Sequence, residues 1–266
     1  MAVPWALPWL KVSLLSTHRE MGGQRRFQAT RCQRCGLHET LCACESAPRV
    51  ELGTPIVVVQ HNKDCRKPTN TVRILTACLP NCAVTRYAVR GAEFDPAPFT
   101  SAGEVDWCLL FPRTDDAQVT DAPRQLGVDE FRRGSCRDRR RGIVVVDGTW
   151  AQARRMRRRL DALRSLPTFE LPPGPVTRWT VRSQSDPGRM STAEATIRAL
   201  AICEGVTALR PVQRYFNLVS ARMMFMKSAL STPEVPAEWS DDVIFEESLI
   251  LEERDTSSGT TDTSSG

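Results

Sequence analysis

The segment Ile143 to Met156, IVVVDGTWAQARRM, constrains the fold more than any other part of the chain. Four β-branched residues, Ile143 to Val146, have the composition of a strand buried on both faces, as in parallel sheets covered by helices. The following residues read as the start of a helix, so Asp147 falls where a strand ends and a helix begins. In open α/β sheets ligands bind in the crevice at that end of the strands, where loop donors and helix N-termini converge. Asp147, Gly148, Thr149 and Trp150 put an acid, a flexible joint, a hydroxyl and an indole there in consecutive positions. Arg154, Arg155, Arg157, Arg158 and Arg159 make the helix behind them strongly basic. Two readings of the turn stand side by side: a ligand site, or a joint in which Asp147 caps the helix and Trp150 anchors it in the core.

The rest of the chain alternates strand and helix signals, which predicts an α/β domain with a mostly parallel sheet. Strands are expected at 55–59, from Cys82 to Val89, from Val105 to Pro112, from Thr168 to Leu171 and from Trp179 to Arg182. Thr69-Asn70-Thr71 precedes a helical pattern reaching about Leu79 and reads equally as an N-cap cluster or as a ligand-contacting loop. Lys63, Arg66 and Lys67 beside it suit phosphate contacts. Ser191 and Glu194 form a capping box that opens a helix to about Glu204. Val212 to Leu230 reads as a packing helix whose Met223, Met224 and Met226 fill core space. Residues 113–142 are charged, and their run Arg137-Asp138-Arg139-Arg140-Arg141 is expected to flank the central site. No GxGxxG follows a strand, which disfavours a Rossmann nucleotide site.

Cysteine spacing adds a second constraint. Cys32 and Cys35 form a CxxC, and after six intervening residues Cys42 and Cys44 form a CxC. Two close thiolate pairs across a short loop can close a tetrahedron around zinc, and a four-sulfur site has no open position, so the metal would be structural. The six remaining cysteines are scattered, a pattern that suits free thiols in a reducing cytosol rather than a disulfide framework. The net charge of +5 hides an uneven distribution: residues 234–266 carry −9 and the preceding 233 carry +14. So basic a body attracts polyanions. No stretch approaches the roughly 20 apolar residues that span a bilayer, and no membrane role is expected. The organisation expected is a leader at 1–29, disordered or preceding a true start at Met21, a zinc-binding module at 30–48, a catalytic domain at 49–232 and an acidic disordered tail at 233–266.

Several segments, in order, resemble the DTW-domain family of tRNA-uridine aminocarboxypropyltransferases over about residues 30 to 230. They are Cys32-x-Arg34-Cys35 with Cys42-x-Cys44; a His61 to Asp64 segment, with Asn62 where proline is usual and Asp64 where glutamate is usual; and Thr69-Asn70-Thr71. Leu110-Phe111-Pro112, Asp147-Gly148-Thr149-Trp150, Trp179-x-x-Arg182 with tryptophan in place of tyrosine, and Ser191-Thr192-Ala193-Glu194-Ala195 follow.

The resemblance implies a SPOUT-like fold with a C-terminal trefoil knot that holds S-adenosylmethionine as co-substrate, beside a structural zinc. The implied reaction transfers the 3-amino-3-carboxypropyl group to N3 of a uridine in tRNA, leaving methylthioadenosine. Asp147 is then the catalytic residue, as the base for the N3 proton or as a ligand of the donor's amino group. Phe111, Pro112, Gly148, Thr149, Trp150, Arg182 and Thr192 are the expected donor contacts. Lys67, Thr69, Asn70, Thr71, Arg154, Arg155 and Arg158 are the expected RNA contacts, and tRNA is the expected partner, with no obligate protein partner evident and a cytoplasmic location. Two alternatives remain open at this stage: an S-adenosylmethionine-dependent RNA methyltransferase, and a non-catalytic zinc-ribbon RNA-binding protein.

Overall fold

The computed structural model describes residues 30–100, 103–113, 123–133, 139–175, 177–181 and 190–239. The expected leader, Arg137, Asp138, Arg182 and nearly all of the acidic tail lie outside these. The chain forms β1 (Ile56–His61), α1 (Asn62–Cys65), α2 (Val72–Cys78), β2 (Cys82–Tyr87), α3 (Ala97–Thr100), β3 (Val105–Leu110) and α4 (Val128–Arg133). It continues through β4 (Arg140–Asp147), α5 (Trp150–Arg159), α6 (Asp161–Arg164), β5 (Thr168–Phe169), α7 (Thr192–Glu204) and α8 (Val206–Met226). The five strands make one parallel sheet in the order β2-β1-β4-β3-β5.

Alternation along the two central strands explains why their sequences read as continuous apolar runs. Ile56 and Val58 of β1 and Ile143 and Val145 of β4 point into a core shared with α2, α7 and α8. Val57, Val59 and Val144 point the other way, onto Phe99, Leu109, Met156 and Leu163. Helices cover both faces, so every position on these strands must be apolar until the strand reaches the edge of the core. Gln60 and Asp147 are the register partners that break this pattern, side by side at the carboxyl ends of β1 and β4.

The cysteine module is built into the same body. Leu37 and Ala43 belong to the α7–α8 core. Arg222 Nη1 on α8 donates to the carbonyls of Leu41 at 3.1 Å and Cys42 at 2.8 Å. Gly36 has φ +77°, and a Cβ there would lie 2.7 Å from the Pro68 carbonyl oxygen, so the module seats against this loop only with glycine.

Three expectations are corrected. Trp179 to Val181 do not form a strand: Arg178 N–H is taken by Glu194 and Trp179 N–H by Thr177, so these donors have no ladder to join. Arg139, Arg140 and Arg141 do not flank the site, because they stand just before and at the start of β4, with Arg140 about 23 Å from Asp147 at roughly 3.3 Å per residue. Arg141 is buried and donates to the carbonyls of Asp106, Glu130 and Phe131, fastening α4 to the sheet. Helix α8 begins at Val206, before Pro211, and ends at Met226 instead of Leu230.

Candidate active site and metal centre

Asp147 ends β4 with its side chain turned into the body, 4% exposed. Its Oδ2 accepts hydrogen bonds from Asn70 Nδ2 at 2.6 Å and Gln60 Nε2 at 3.0 Å, and its Oδ1 accepts one from Thr192 Oγ1 at 2.7 Å. The helix behind it is capped by Thr149, two residues on, so the capping role foreseen for Asp147 belongs to its neighbour. Around the carboxylate the ties continue. Asn70 Oδ1 accepts from Gln60 Nε2 at 3.2 Å and from Val72 N–H at 3.1 Å, and Thr71 Oγ1 accepts from Ala193 N–H at 3.2 Å. One carboxylate thus joins β1, the loop before α2, β4 and the start of α7.

In front of Thr192 lies a cavity of about 410 Å³, within the range of small-molecule sites. Its wall comes from Leu110 at the end of β3 with Phe111 and Pro112 after it, Val145 and Val146 of β4 with Gly148 just beyond, and Trp150 and Ala153 of α5. It is completed by Glu170 to Pro175 after β5, by Thr177 and by Met190 to Thr192, Ala195 and Arg198. The location is the one the strand-turn-helix pattern predicts, at the carboxyl ends of the strands. Phe111 and Trp150 meet edge to face at 6.3 Å, and the Arg157 guanidinium lies 4.8 Å from the Phe111 ring centre. This gives the wall an aromatic corner with a cation behind it.

Of the expected donor contacts, Phe111, Pro112, Gly148, Trp150 and Thr192 line the cavity. Thr149 does not: its Oγ1 caps α5 by accepting from Gln152 N–H at 3.3 Å, while Gln152 Oε1 accepts from Thr149 N–H at 2.6 Å. Arg182 lies outside the described residues. Of the expected RNA contacts, Arg154, Arg155 and Arg158 are exposed on α5. Lys67 pairs with Asp64 at 2.7 Å and Thr69 is half-buried. Asn70 and Thr71 face inward, each 4% exposed, and hold the site together.

Sequence reasoning missed Gln60, Glu170 and Arg198. A polar residue ending an otherwise apolar strand was the available signal for Gln60. Arg198 sits inside an apolar helix with nothing local to mark it.

The start of α7 is fixed by the capping box foreseen for Ser191 and Glu194, with bonds of 3.3 and 2.8 Å. Glu194 is also buried and accepts from Thr177 Oγ1 at 2.5 Å and Arg178 N–H at 2.8 Å, which ties the far wall of the cavity to the same helix. At the end of β1, His61 Nδ1 accepts from Lys63 N–H at 3.2 Å and caps α1. Burial holds its pKa below the usual histidine value.

The sulfurs of Cys32, Cys35, Cys42 and Cys44 all lie within 4.8 Å of one another, with Cys32–Cys44 at 3.6 Å and Cys35–Cys42 at 3.8 Å. A tetrahedral zinc with bonds of about 2.3 Å has sulfur–sulfur edges of about 3.8 Å, so these four residues fit the ion. A metal here would brace the module that α8 holds.

The DTW domain model matches residues 29–224, from the cysteine module into the last turn of α8. Curated relatives align with 68% of the chain. The tRNA-uridine aminocarboxypropyltransferase 2 of Macaca fascicularis is 26% identical over 195 residues and that of Mus musculus 27%, each covered over 61% of its length. The protein of the same name from Drosophila melanogaster is 23% identical over 187 residues and covered over 69%. The chain therefore spans about three fifths of the length of the mammalian relatives it matches. No solved structure matches it. With the family model covering most of its length, the chain belongs to the DTW domain family.

Proposed function

We propose that this protein is a tRNA-uridine aminocarboxypropyltransferase that moves the 3-amino-3-carboxypropyl group of S-adenosylmethionine to N3 of a uridine in tRNA. The observation that carries the reading is the cavity lined by Phe111, Gly148, Trp150 and Thr192, with the buried Asp147 carboxylate directly behind Thr192. The names of the relatives support the transfer of an aminocarboxypropyl group to a tRNA uridine.

In this reading the donor occupies the cavity and a uridine enters over the aromatic corner of Phe111 and Trp150. N3 loses its proton and attacks the γ-carbon of the donor's amino-acid portion. The carbon–sulfur bond breaks, its electron pair stays on sulfur, and methylthioadenosine leaves. Asp147 has one acceptor position left on Oδ1, and Thr192 is the hydroxyl between it and the cavity. Thr192 therefore passes the N3 proton toward Asp147 while orienting the incoming base. Asn70 and Gln60 hold the carboxylate still, which keeps the reacting groups aligned. The exposed arginines of α5 bind tRNA phosphates, and the structural zinc keeps the module against α8.

The same reading carries the SPOUT-like topology with a C-terminal knot. In its support, the sheet is wholly parallel and α7, reached after the wall of the cavity, returns to bond the end of β4. An experimental trace through 176–190 that ran outside the neighbouring loops would contradict it. A cytoplasmic site of action follows from reduced thiols and a tRNA substrate; no helix among the described residues is long and apolar enough to cross a membrane. A tagged protein confined to a secretory compartment would contradict that placement.

The test is nucleoside mass analysis of unmodified tRNA incubated with S-adenosylmethionine and either the wild type or Asp147→Asn. Aminocarboxypropyluridine from the wild type alone is the expected result. Methylated nucleoside would make the protein a methyltransferase, and bound but unchanged tRNA would make it a binding protein.

A further inference from the structure

Glu170 is the one acid among the described residues that line the cavity. It follows β5 directly, is half-buried, and makes no ion pair with a described residue. Leu110 and Phe169 are register partners and Phe111 N–H donates to the Phe169 carbonyl at 3.0 Å, so Glu170 stands beside the Phe111 side of the aromatic corner. The chain that follows is held rigid. Pro172, Pro173 and Pro175 each fix their own φ, and Arg198 Nη2 fastens the loop by donating to the carbonyls of Pro172 at 3.0 Å and Pro173 at 3.3 Å. A Cβ on Gly174 would stand 1.9 Å from that nitrogen, so the loop comes this close only because position 174 carries no side chain. A strand on one side and a fastened loop on the other therefore place the Glu170 carboxylate at the cavity wall.

We infer that Glu170 reads the ribose diol of the donor's nucleoside. The inference rests on the proposed donor and goes beyond it by assigning the nucleoside end to a residue outside the signature segments. The reacting end lies at Thr192, whose hydroxyl meets the end of β4. β3 separates β4 from β5 in the sheet, so Glu170 starts two strand spacings away, about 10 Å at roughly 4.8 Å per strand. The donor's ammonium group lies close to the reacting γ-carbon, whereas its ribose hydroxyls lie beyond the sulfur, toward Glu170. A carboxylate only accepts, and its two oxygens match two vicinal O–H donors, as acids near the ends of parallel strands do in nucleotide-binding sheets. The donor and the departing methylthioadenosine both carry the diol, so this contact is blind to the charge at sulfur.

The test compares ligands that differ in the diol or in charge on one protein. Calorimetric affinities are measured for S-adenosylmethionine, methylthioadenosine and a methylthioadenosine analogue lacking both ribose hydroxyls, on the wild type, Glu170→Leu and Glu170→Gln. The wild type is expected to prefer methylthioadenosine over the analogue by roughly 10-fold or more, since hydrogen bonds to a charged acceptor are at stake. Glu170→Leu is expected to erase that preference and to weaken S-adenosylmethionine and methylthioadenosine by the same factor, and Glu170→Gln, with one acceptor oxygen, to keep part of it. If Glu170→Leu weakens S-adenosylmethionine alone, the acid answers the donor's positive charge and the inference is overturned. If it weakens all three ligands equally, Glu170 only shapes the wall, which also overturns it. Equal wild-type affinity for methylthioadenosine and the analogue overturns it with the donor assignment left standing. A wild type that binds none of the three overturns the donor assignment itself, and this inference with it.

Discussion

Thr192 and Asp147 lie 45 residues apart and meet at 2.7 Å, the hydroxyl of the first residue of α7 on the carboxylate that ends β4. Because Thr192 also lines the cavity, it is the point at which a buried acid reaches the cavity wall. Thr192→Val keeps the shape and removes the hydroxyl. It is expected to lower kcat for nucleoside formation by roughly 100-fold, the scale of a lost proton-transfer group, with Thr192→Ser close to wild type. A Thr192→Val enzyme of wild-type kcat would remove the relay.

Asp147→Asn separates charge from scaffold. The amide oxygen can still accept from Gln60 and Asn70, and the amide N–H can donate to Thr192 after its hydroxyl turns. Urea unfolding should therefore shift by less than about 2 kcal/mol, the cost of one disturbed buried hydrogen bond, while transfer is lost. A collapse in stability instead would assign the carboxylate a mainly structural role.

Arg154, Arg155 and Arg158 stand exposed on α5, on the helix that also presents Trp150 to the cavity. Replacing all three with glutamine should weaken tRNA binding and flatten its salt dependence by roughly 0.7–0.9 log units per lost phosphate contact. Affinity for S-adenosylmethionine should not change. An unaltered salt slope would move the RNA path elsewhere.

Metal removal tests the cysteine module. One zinc per chain is expected by elemental analysis, and a strong chelator or Cys42→Ser should lower the Tm, because α8 donates from Arg222 to the very loop the metal braces. A metal-free protein of unchanged Tm would contradict the structural role.

His61 gives a pH dependence with a defined sign. Burial depresses its pKa in the fold, so the unfolded chain binds the proton more readily. The neutral ring, whose Nδ1 accepts from Lys63 N–H, contributes stability that is present above the unfolded value of about 6.5 and is lost as pH falls through the folded pKa. His61→Asn, which can cap α1 without titrating, should flatten the change in urea midpoint between about pH 7 and 5. A slope equal to that of the wild type would contradict the assignment.

What could be read locally was read well. The β-branched runs at 56–59 and 143–146 became the two central strands, the Ser191–Glu194 pair became a capping box, and the cysteine pairs came together as a quartet. What failed depended on partners far away in sequence. Asn70 does serve the start of α2 as a cap would, its Oδ1 accepting from Val72 N–H, but nothing local marks its bond to Asp147 or that of Thr71 to Ala193, 77 and 122 residues away. Trp179 has the look of a strand residue, yet Arg178 and Trp179 give their backbone donors to side chains, and its ring packs on Phe216 at 6.1 Å. Arg141 resembles its exposed neighbours, but three carbonyls around it make it part of the core. Helix capping, in turn, went to Thr149 because its own side chain, not that of Asp147, reaches the amide of Gln152.

The most direct measurement of the central claim follows the fate of the donor's two ends. S-adenosylmethionine radiolabelled in its carboxyl carbon, and in a parallel reaction in its methyl group, is incubated with unmodified tRNA and the wild-type protein, and the tRNA is precipitated and counted. The account predicts that the carboxyl label enters the tRNA and the methyl label stays in soluble methylthioadenosine. Methyl label in the tRNA with the carboxyl label left behind would contradict it.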